Sequence, residues 1–292
     1  MTTACLRPEP PEVLQLLTSS RRVATACGAG ELVWHLWGRP GERPPLVMLH
    51  GGSGSWTHWL RNIETLVAAD RWLLLPDLPG MGDSALPPAG RDADAMPEPL
   101  EQGLHRLVGD AVCEVIGFSF GAMVAGLWAQ AFAQRFSRLV LLAPPGLGRP
   151  ALEAMEPQGW RHLREPDERL QVHAHNLREL MFYRPQAATT LASRIQQHNA
   201  ERDRLPRRRL SRTDVLARAL AHQHRPVHLI HGEHDRYYLH QTAEIEAVLR
   251  TCPGFVRRHA VADAGHWVQY EQAQSLHLAL AQALDDPRVG RK

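Results

Sequence analysis

Short apolar runs recur along the chain, at residues 45–49, 72–75, 111–116, 139–142 and 227–230. Each is nearly continuous and shows little alternation, which predicts strands covered by helices on both faces. A further strand is expected over 255–261. Residues 22–27 and 31–37 flank Gly28-Ala29-Gly30 and predict an antiparallel hairpin at one sheet edge. Residues 122–135 are rich in Ala, Leu and Met and free of proline, so they predict a buried helix. Strand alternating with helix predicts an α/β domain on a doubly wound, mainly parallel sheet.

The alternation lapses after Leu142. From 146 to 221 there is no strand-like run, and the segment carries Arg, Glu, Gln and His at helical spacing, as over 170–182 and 187–198. A structureless loop of that length is out of keeping with a compact domain. The expected organisation is a core of residues 1–145 and 222–292, with a helical lid inserted over 146–221 at the C-terminal edge of the strands. The run Arg207-Arg208-Arg209 is expected to form a solvated face or a salt-bridged turn.

Composition narrows the function classes. Of 292 residues, 33 are basic and 31 acidic, so no global charge points to nucleic acid or a membrane surface. No apolar run approaches the roughly 20 residues that a membrane-spanning helix needs. Cys5, Cys27, Cys113 and Cys252 are scattered without a C-x-x-C pair, which predicts free thiols in a reducing compartment. The proline-rich start lacks the apolar core of a signal peptide, and a cytoplasmic location is expected. A small-molecule substrate is the expected partner, and a homo-oligomer is left open.

The chemistry concentrates at Gly117-Phe118-Ser119-Phe120-Gly121, between a predicted strand and a predicted helix. That context makes G-x-S-x-G a nucleophile elbow. A turn this tight strains the serine backbone, glycines allow neighbouring backbone to approach, and the following helix aims N–H groups at the hydroxyl. A serine nucleophile needs a base, and the base needs an orienting acid, here in the chain order Ser, Asp, His. Asp235 in His231-Gly232-Glu233-His234-Asp235 and His266 in Asp263-Ala264-Gly265-His266-Trp267 supply that order, each on a loop after a strand. Glu233 falls earlier in its turn, and Asp263 is too close along the chain to reach the far nitrogen of His266. Asp77 also follows a strand and is expected to hold its own turn by local hydrogen bonds. The oxyanion is expected to meet the N–H of Phe120 and that of Gly52 in His50-Gly51-Gly52-Ser53-Gly54, with Ser53 as the alternative. The pairs His173/His175, His222/His224 and His231/His234 belong to no metal-ligand motif, so neither metal nor cofactor is expected.

These motifs, with Asp77-Leu78-Pro79-Gly80-Met81-Gly82-Asp83-Ser84, resemble the α/β-hydrolase family over residues 32–284. The resemblance implies the α/β-hydrolase fold with an inserted helical cap, and the serine separates the chain from family members with aspartate at the elbow. Gly265-His266-Trp267-Val268-Gln269-Tyr270-Glu271 is similar to the corresponding segment of the meta-cleavage-product hydrolases, which cut C–C bonds in ring-fission dienoates. That likeness implies that Trp267 and a lid arginine, by local pattern Arg194, contact substrate, with Gly51, Ser53 and Phe118 beside it. Two features depart from that group: a phenylalanine, Phe118, stands where it carries asparagine, and the first turn lacks its proline. Phe118, Phe120, Trp56 and Trp59 suggest an apolar acyl or aromatic pocket. The expected activity is therefore hydrolysis of an ester, thioester or related acyl bond through an acyl-Ser119 intermediate. C–C hydrolysis of dienoates is the alternative. A non-catalytic ligand-binding module on this fold is the rival from another class, and the intact Ser119, Asp235 and His266 argue against it.

Overall fold

In the computed structural model, which describes residues 9–148, 157–205 and 207–287, the apolar runs are strands of a single sheet. The hairpin is β1 (Arg21–Cys27) and β2 (Gly30–Trp37), and β3 (Leu46–Leu49), β4 (Leu73–Pro76), β5 (Cys113–Phe118), β6 (Phe136–Leu142), β7 (Val227–Gly232) and β8 (Phe255–Val261) follow. Their order in space is β1-β2-β4-β3-β5-β6-β7-β8. Only β2 runs antiparallel to its neighbours; the remaining pairings are parallel.

The helices are α1 (Pro11–Thr18), α2 (Ile63–Ala68), α3 (Pro97–Val108), α4 (Phe120–Ala131) and α5 (Pro166–Leu180). After them come α6 (Thr190–Glu201), α7 (Val215–Leu220), α8 (Thr242–Leu249), α9 (Val268–Glu271) and α10 (Ala273–Leu284). Successive side chains of a strand point to opposite faces, and the sheet accordingly divides the core in two. Val47, Leu49, Leu74, Val115 and Leu229 pack with α3, α4, α7 and α8. Leu46, Met48, Leu73, Leu75 and Ile116 pack on the other face with α1, α2, α9 and α10. Burial on both faces explains why these strands read as unbroken apolar runs.

Several boundaries differ from the sequence reading. The helix expected over 122–135 starts at Phe120 and ends at Ala131. Past that point Arg135 turns away to pair with Glu101 and to donate to the carbonyls of Gly109 and Ala111. β6 extends back to Phe136 because Arg138 enters the sheet paired with Glu114, itself buried against Arg71. The helices expected over 170–182 and 187–198 are α5 and α6, each displaced by a few residues. Between β6 and β7 the chain thus forms α5, α6 and α7; residues 149–156 and 206 of that segment lie outside the described residues. Cys27, Cys113 and Cys252 are free and buried, while Cys5 lies outside the described residues. Among the described residues, no helix is long and apolar enough to cross a membrane.

Candidate active site

The chain leaves β3 for β4 on one side and pairs β3 with β5 on the other. Where strand order reverses in this way, the loops at the carboxyl ends diverge and open a crevice. The turn after β3 and the turn after β5 meet there. Ser119 has φ 50° and ψ −119°, a strained conformation for a residue other than glycine. The flanking glycines explain how the turn closes. A Cβ on Gly117 would lie 2.4 Å from the carbonyl oxygen of Gly121, and one on Gly121 would lie 2.3 Å from that of His50. The Ser119 N–H donates to the Leu142 carbonyl at 2.7 Å, tying the turn to β6. The Ser119 carbonyl accepts from Ala122 and Met123 and so starts α4.

Two further loops converge on this serine. Gly232 ends β7, and a Cβ there would meet the carbonyl oxygens of Gly265 and Ala264 at 2.2 and 2.3 Å. That close approach lets Glu233 and His234 donate to the carbonyls of Val261 and Ala264 at 2.9 Å, which zips the two loops together. The result is a hydrogen-bonded relay. His266 Nε2 lies 3.0 Å from Ser119 Oγ, and His266 Nδ1 lies 2.8 Å from Asp235 Oδ2. Asp235 is fully buried, and its other oxygen accepts from the Tyr237 N–H at 2.9 Å. A carboxylate in this place fixes the Nδ1–H tautomer of His266 and leaves Nε2 free to accept the serine proton.

Of the competing acids, Asp263 pairs with Arg184 at 2.8 Å. Asp77 holds its turn as expected, accepting from the N–H groups of Trp56 and Asp83. The Phe120 N–H opens α4 beside the serine and has no acceptor among the described residues, and the same is true of the N–H groups of Gly52 and Ser53. The N–H of Gly51, by contrast, is taken by His58 Nδ1 at 3.2 Å, so it is not available to a ligand. The Ser53 hydroxyl donates to Asp203 at 2.6 Å.

The aromatic residues expected to line a pocket are mostly core. Trp56 and Trp59 are buried with Trp37 on the face of α1 and α2. Phe118 packs beneath Gly51 and 5.1 Å from the His266 ring, measured between centroids. Trp267 is fully buried, stacked on Phe182, and its indole N–H donates to the His58 carbonyl at 3.1 Å. Its position steadies the loop of His266 from behind.

Arg194 is half-buried on α6, where its charge acts on the Glu9 carboxylate. Arg208 is the arginine at the turn after β3. Its guanidinium carbon lies 5.4 Å from the centre of the Phe120 ring, and a Cβ on Gly52 would lie 3.2 Å from its Nη1. It pairs with Asp203 and reaches Ser53, so the Arg207–Arg209 run does contain a salt-bridged turn. Sequence reasoning missed this placement because a contact between residues 52 and 208 leaves no local signature. It also missed Glu271, whose carboxylate accepts from the N–H groups of Gly265, Tyr183 and Arg184 and thereby anchors the histidine loop. The Gly-His-Trp-x-x-x-Glu spacing was the available signal.

His35, Asp77 and Asp83 place ligating atoms within 4.8 Å of one another. Asp77 is already engaged by backbone N–H groups and Asp83 by Arg202 at 2.8 Å, so the carboxylates have roles without an ion.

Comparisons with known proteins agree with this architecture. The family model described as alpha/beta hydrolase fold matches residues 44–273. The chain is 30% identical over 282 residues to a 2-hydroxy-6-oxononadienedioate/2-hydroxy-6-oxononatrienedioate hydrolase of Cupriavidus pinatubonensis, covering 89% of this chain and 93% of that one. It is 26% identical over 255 residues to a 2-hydroxy-6-oxo-6-phenylhexa-2,4-dienoate hydrolase of Comamonas testosteroni, covering 81% and 86%. Among solved structures, carboxylesterase CesB (YbfK) from Bacillus subtilis superposes with a TM-score of 0.74 at 20% identity, over 94% of this chain and 96% of that one. With the sheet order, the elbow and the family match in agreement, the chain belongs to the alpha/beta hydrolase fold family and is an α/β-hydrolase.

Proposed function

We propose that the protein is a serine hydrolase that cleaves an ester, thioester or related acyl bond of a small, partly apolar substrate. The observation that carries this reading is the relay from Ser119 Oγ through His266 to buried Asp235. In the first half-reaction Ser119 Oγ attacks the carbonyl carbon as His266 Nε2 takes its proton. The N–H groups of Phe120 and Gly52 receive the negative charge on the tetrahedral oxygen. His266 then gives the proton to the leaving group, and the acyl-Ser119 ester remains. Water, deprotonated by the same nitrogen, releases the acid and restores Ser119. Asp235 keeps the ring oriented and stabilises its charged form without taking the proton. The helices between β6 and β7 serve as a lid, with the Arg208–Asp203 pair and the Ser53 hydroxyl docking their far end on the turn after β3.

A second reading keeps the site and changes the bond, to a C–C bond of a ring-fission dienoate. It is favoured by relatives of that name aligned over most of the chain and by an arginine beside Gly52. Turnover of a panel of p-nitrophenyl esters, acyl thioesters and dienoates by the native protein, Ser119→Ala and His266→Ala decides between them. Both variants should lose several orders of magnitude on whichever class is turned over. Undiminished activity in either one would remove the assignment.

A further inference from the structure

We propose that His50 and His58 are positioning residues that grip Gly51 from its two sides and so hold the next peptide group, at Gly52, ready for the oxyanion. The proposal rests on the Ser119 reading. His58 Nδ1 accepts the Gly51 N–H at 3.2 Å. His50 Nδ1 lies 2.8 Å from the Gly51 carbonyl oxygen, and His50 Nε2 accepts the Leu78 N–H at 2.8 Å.

These partners dictate both tautomers. A backbone N–H can only donate and a carbonyl oxygen can only accept. His50 must therefore carry its proton on Nδ1, and neutral His58 must carry its proton on Nε2. Both polar groups of Gly51 are engaged, which fixes the peptide planes on either side of it. The N–H of Gly52 then has no acceptor among the described residues.

The surroundings leave His58 no alternative position. A Cβ on Gly54 would lie 2.4 Å from His58 Cε1. The ring is held 4.9 Å from Trp267, 5.6 Å from Phe118 and 6.0 Å from His50, between centroids. Both histidines are buried, and burial lowers the basicity of His50 and takes that of His58 well below the usual histidine range, so both stay neutral.

His58 Nε2 is buried and has no hydrogen-bond partner among the described residues. A buried donor left unpaired is destabilising. A phenylalanine would fill the same space without that penalty. What histidine adds here is the acceptor at Nδ1. The clamp also reaches the nucleophile, because Gly121 of the elbow packs against the His50 carbonyl.

The test compares His58→Asn, whose side-chain oxygen stands close to where Nδ1 was, with His58→Leu, which has no acceptor. Loss of an oxyanion donor lowers kcat by about 100-fold or more. His58→Leu should show that loss with KM within about threefold, and His58→Asn should regain most of it, with thermal midpoints measured for both. Equal kcat loss in the two variants, or unchanged kcat in His58→Leu, would overturn the clamp. Ring-nitrogen NMR of the native protein reads the tautomers whether or not Ser119 turns over and whether or not the variants fold. Bare Nδ1 on His58 with protonated Nδ1 on His50 is the expected pattern, and the opposite pattern on either ring contradicts it. If the native protein neither labels nor turns over at Ser119, the serine-hydrolase reading fails, and the tautomers decide the clamp separately.

Discussion

A Cβ added to Gly121 would lie 2.3 Å from the carbonyl oxygen of His50, so the helix that presents Ser119 rests directly on the backbone of the turn after β3. No side chain fits between them. Gly121→Ala should therefore cost a few kcal/mol of stability, on the order of the larger single-site effects, and should lower kcat as well. Gly41→Ala is the control, because nothing lies within 4 Å of a Cβ there. Its effect should stay within about 0.5 kcal/mol. Urea unfolding of the two variants checks the contrast.

Asp235 Oδ2 sits 2.8 Å from His266 Nδ1 and is buried. Replacing it with asparagine keeps the shape but lets an amide N–H face that nitrogen, which favours the wrong tautomer. On the precedent of other triads, Asp235→Asn should lower kcat by about 10⁴-fold near neutral pH. Steady-state kinetics on whichever substrate the native protein turns over gives the value. A loss under about tenfold would show that His266 is oriented by something else.

His173 on α5 is buried against Trp160, and burial lowers its pKa from 6.5 to about 4. The unfolded chain takes up that proton below about pH 6.5, whereas the folded chain resists until about pH 4. The unfolded state thus binds more protons in that window, and stability falls as pH drops through it. The contribution is intact above pH 6.5 and lost toward pH 4, amounting at most to about 3 kcal/mol at 1.36 kcal/mol per unit. His173→Phe should flatten the acid slope of stability measured by urea unfolding between pH 7 and pH 4. An unchanged slope would show that His173 does not resist protonation.

Arg208, beside Gly52 and over Phe120, and Arg194, acting on Glu9, make different predictions about substrate charge. If the substrate carries a carboxylate near the scissile bond, Arg208→Ala should raise KM for it about tenfold or more, the size of a lost charge-assisted hydrogen bond. A neutral ester should be little affected. Arg194→Ala should change neither KM by more than about twofold. The reverse pattern would assign the anion-binding role to Arg194 in place of Arg208.

The core was legible because its signals are local. β3, β4, β5 and β7 lie buried between two helix layers, so each appears as a short apolar run. The elbow was legible because Gly117 and Gly121 are required sterically by contacts that any such turn makes. The start of β6 was hidden because Arg138 is charged, and only its pairing with Glu114 on the neighbouring strand allows it inside. α1 gave no clear signal in a proline-rich start, and its Val13 and Leu16 find their core only after folding. The roles of His58, Arg208 and Glu271 depend on partners far away in the chain. Their residue types are visible in the sequence, but their partners are not.

An activated Ser119 should react with a fluorophosphonate, and the intact mass of the protein after exposure reads the reaction out. One covalent adduct is expected on the native protein and none on Ser119→Ala. No adduct on the native protein, under conditions that label a known serine hydrolase completely, or an equal adduct on Ser119→Ala, would contradict it.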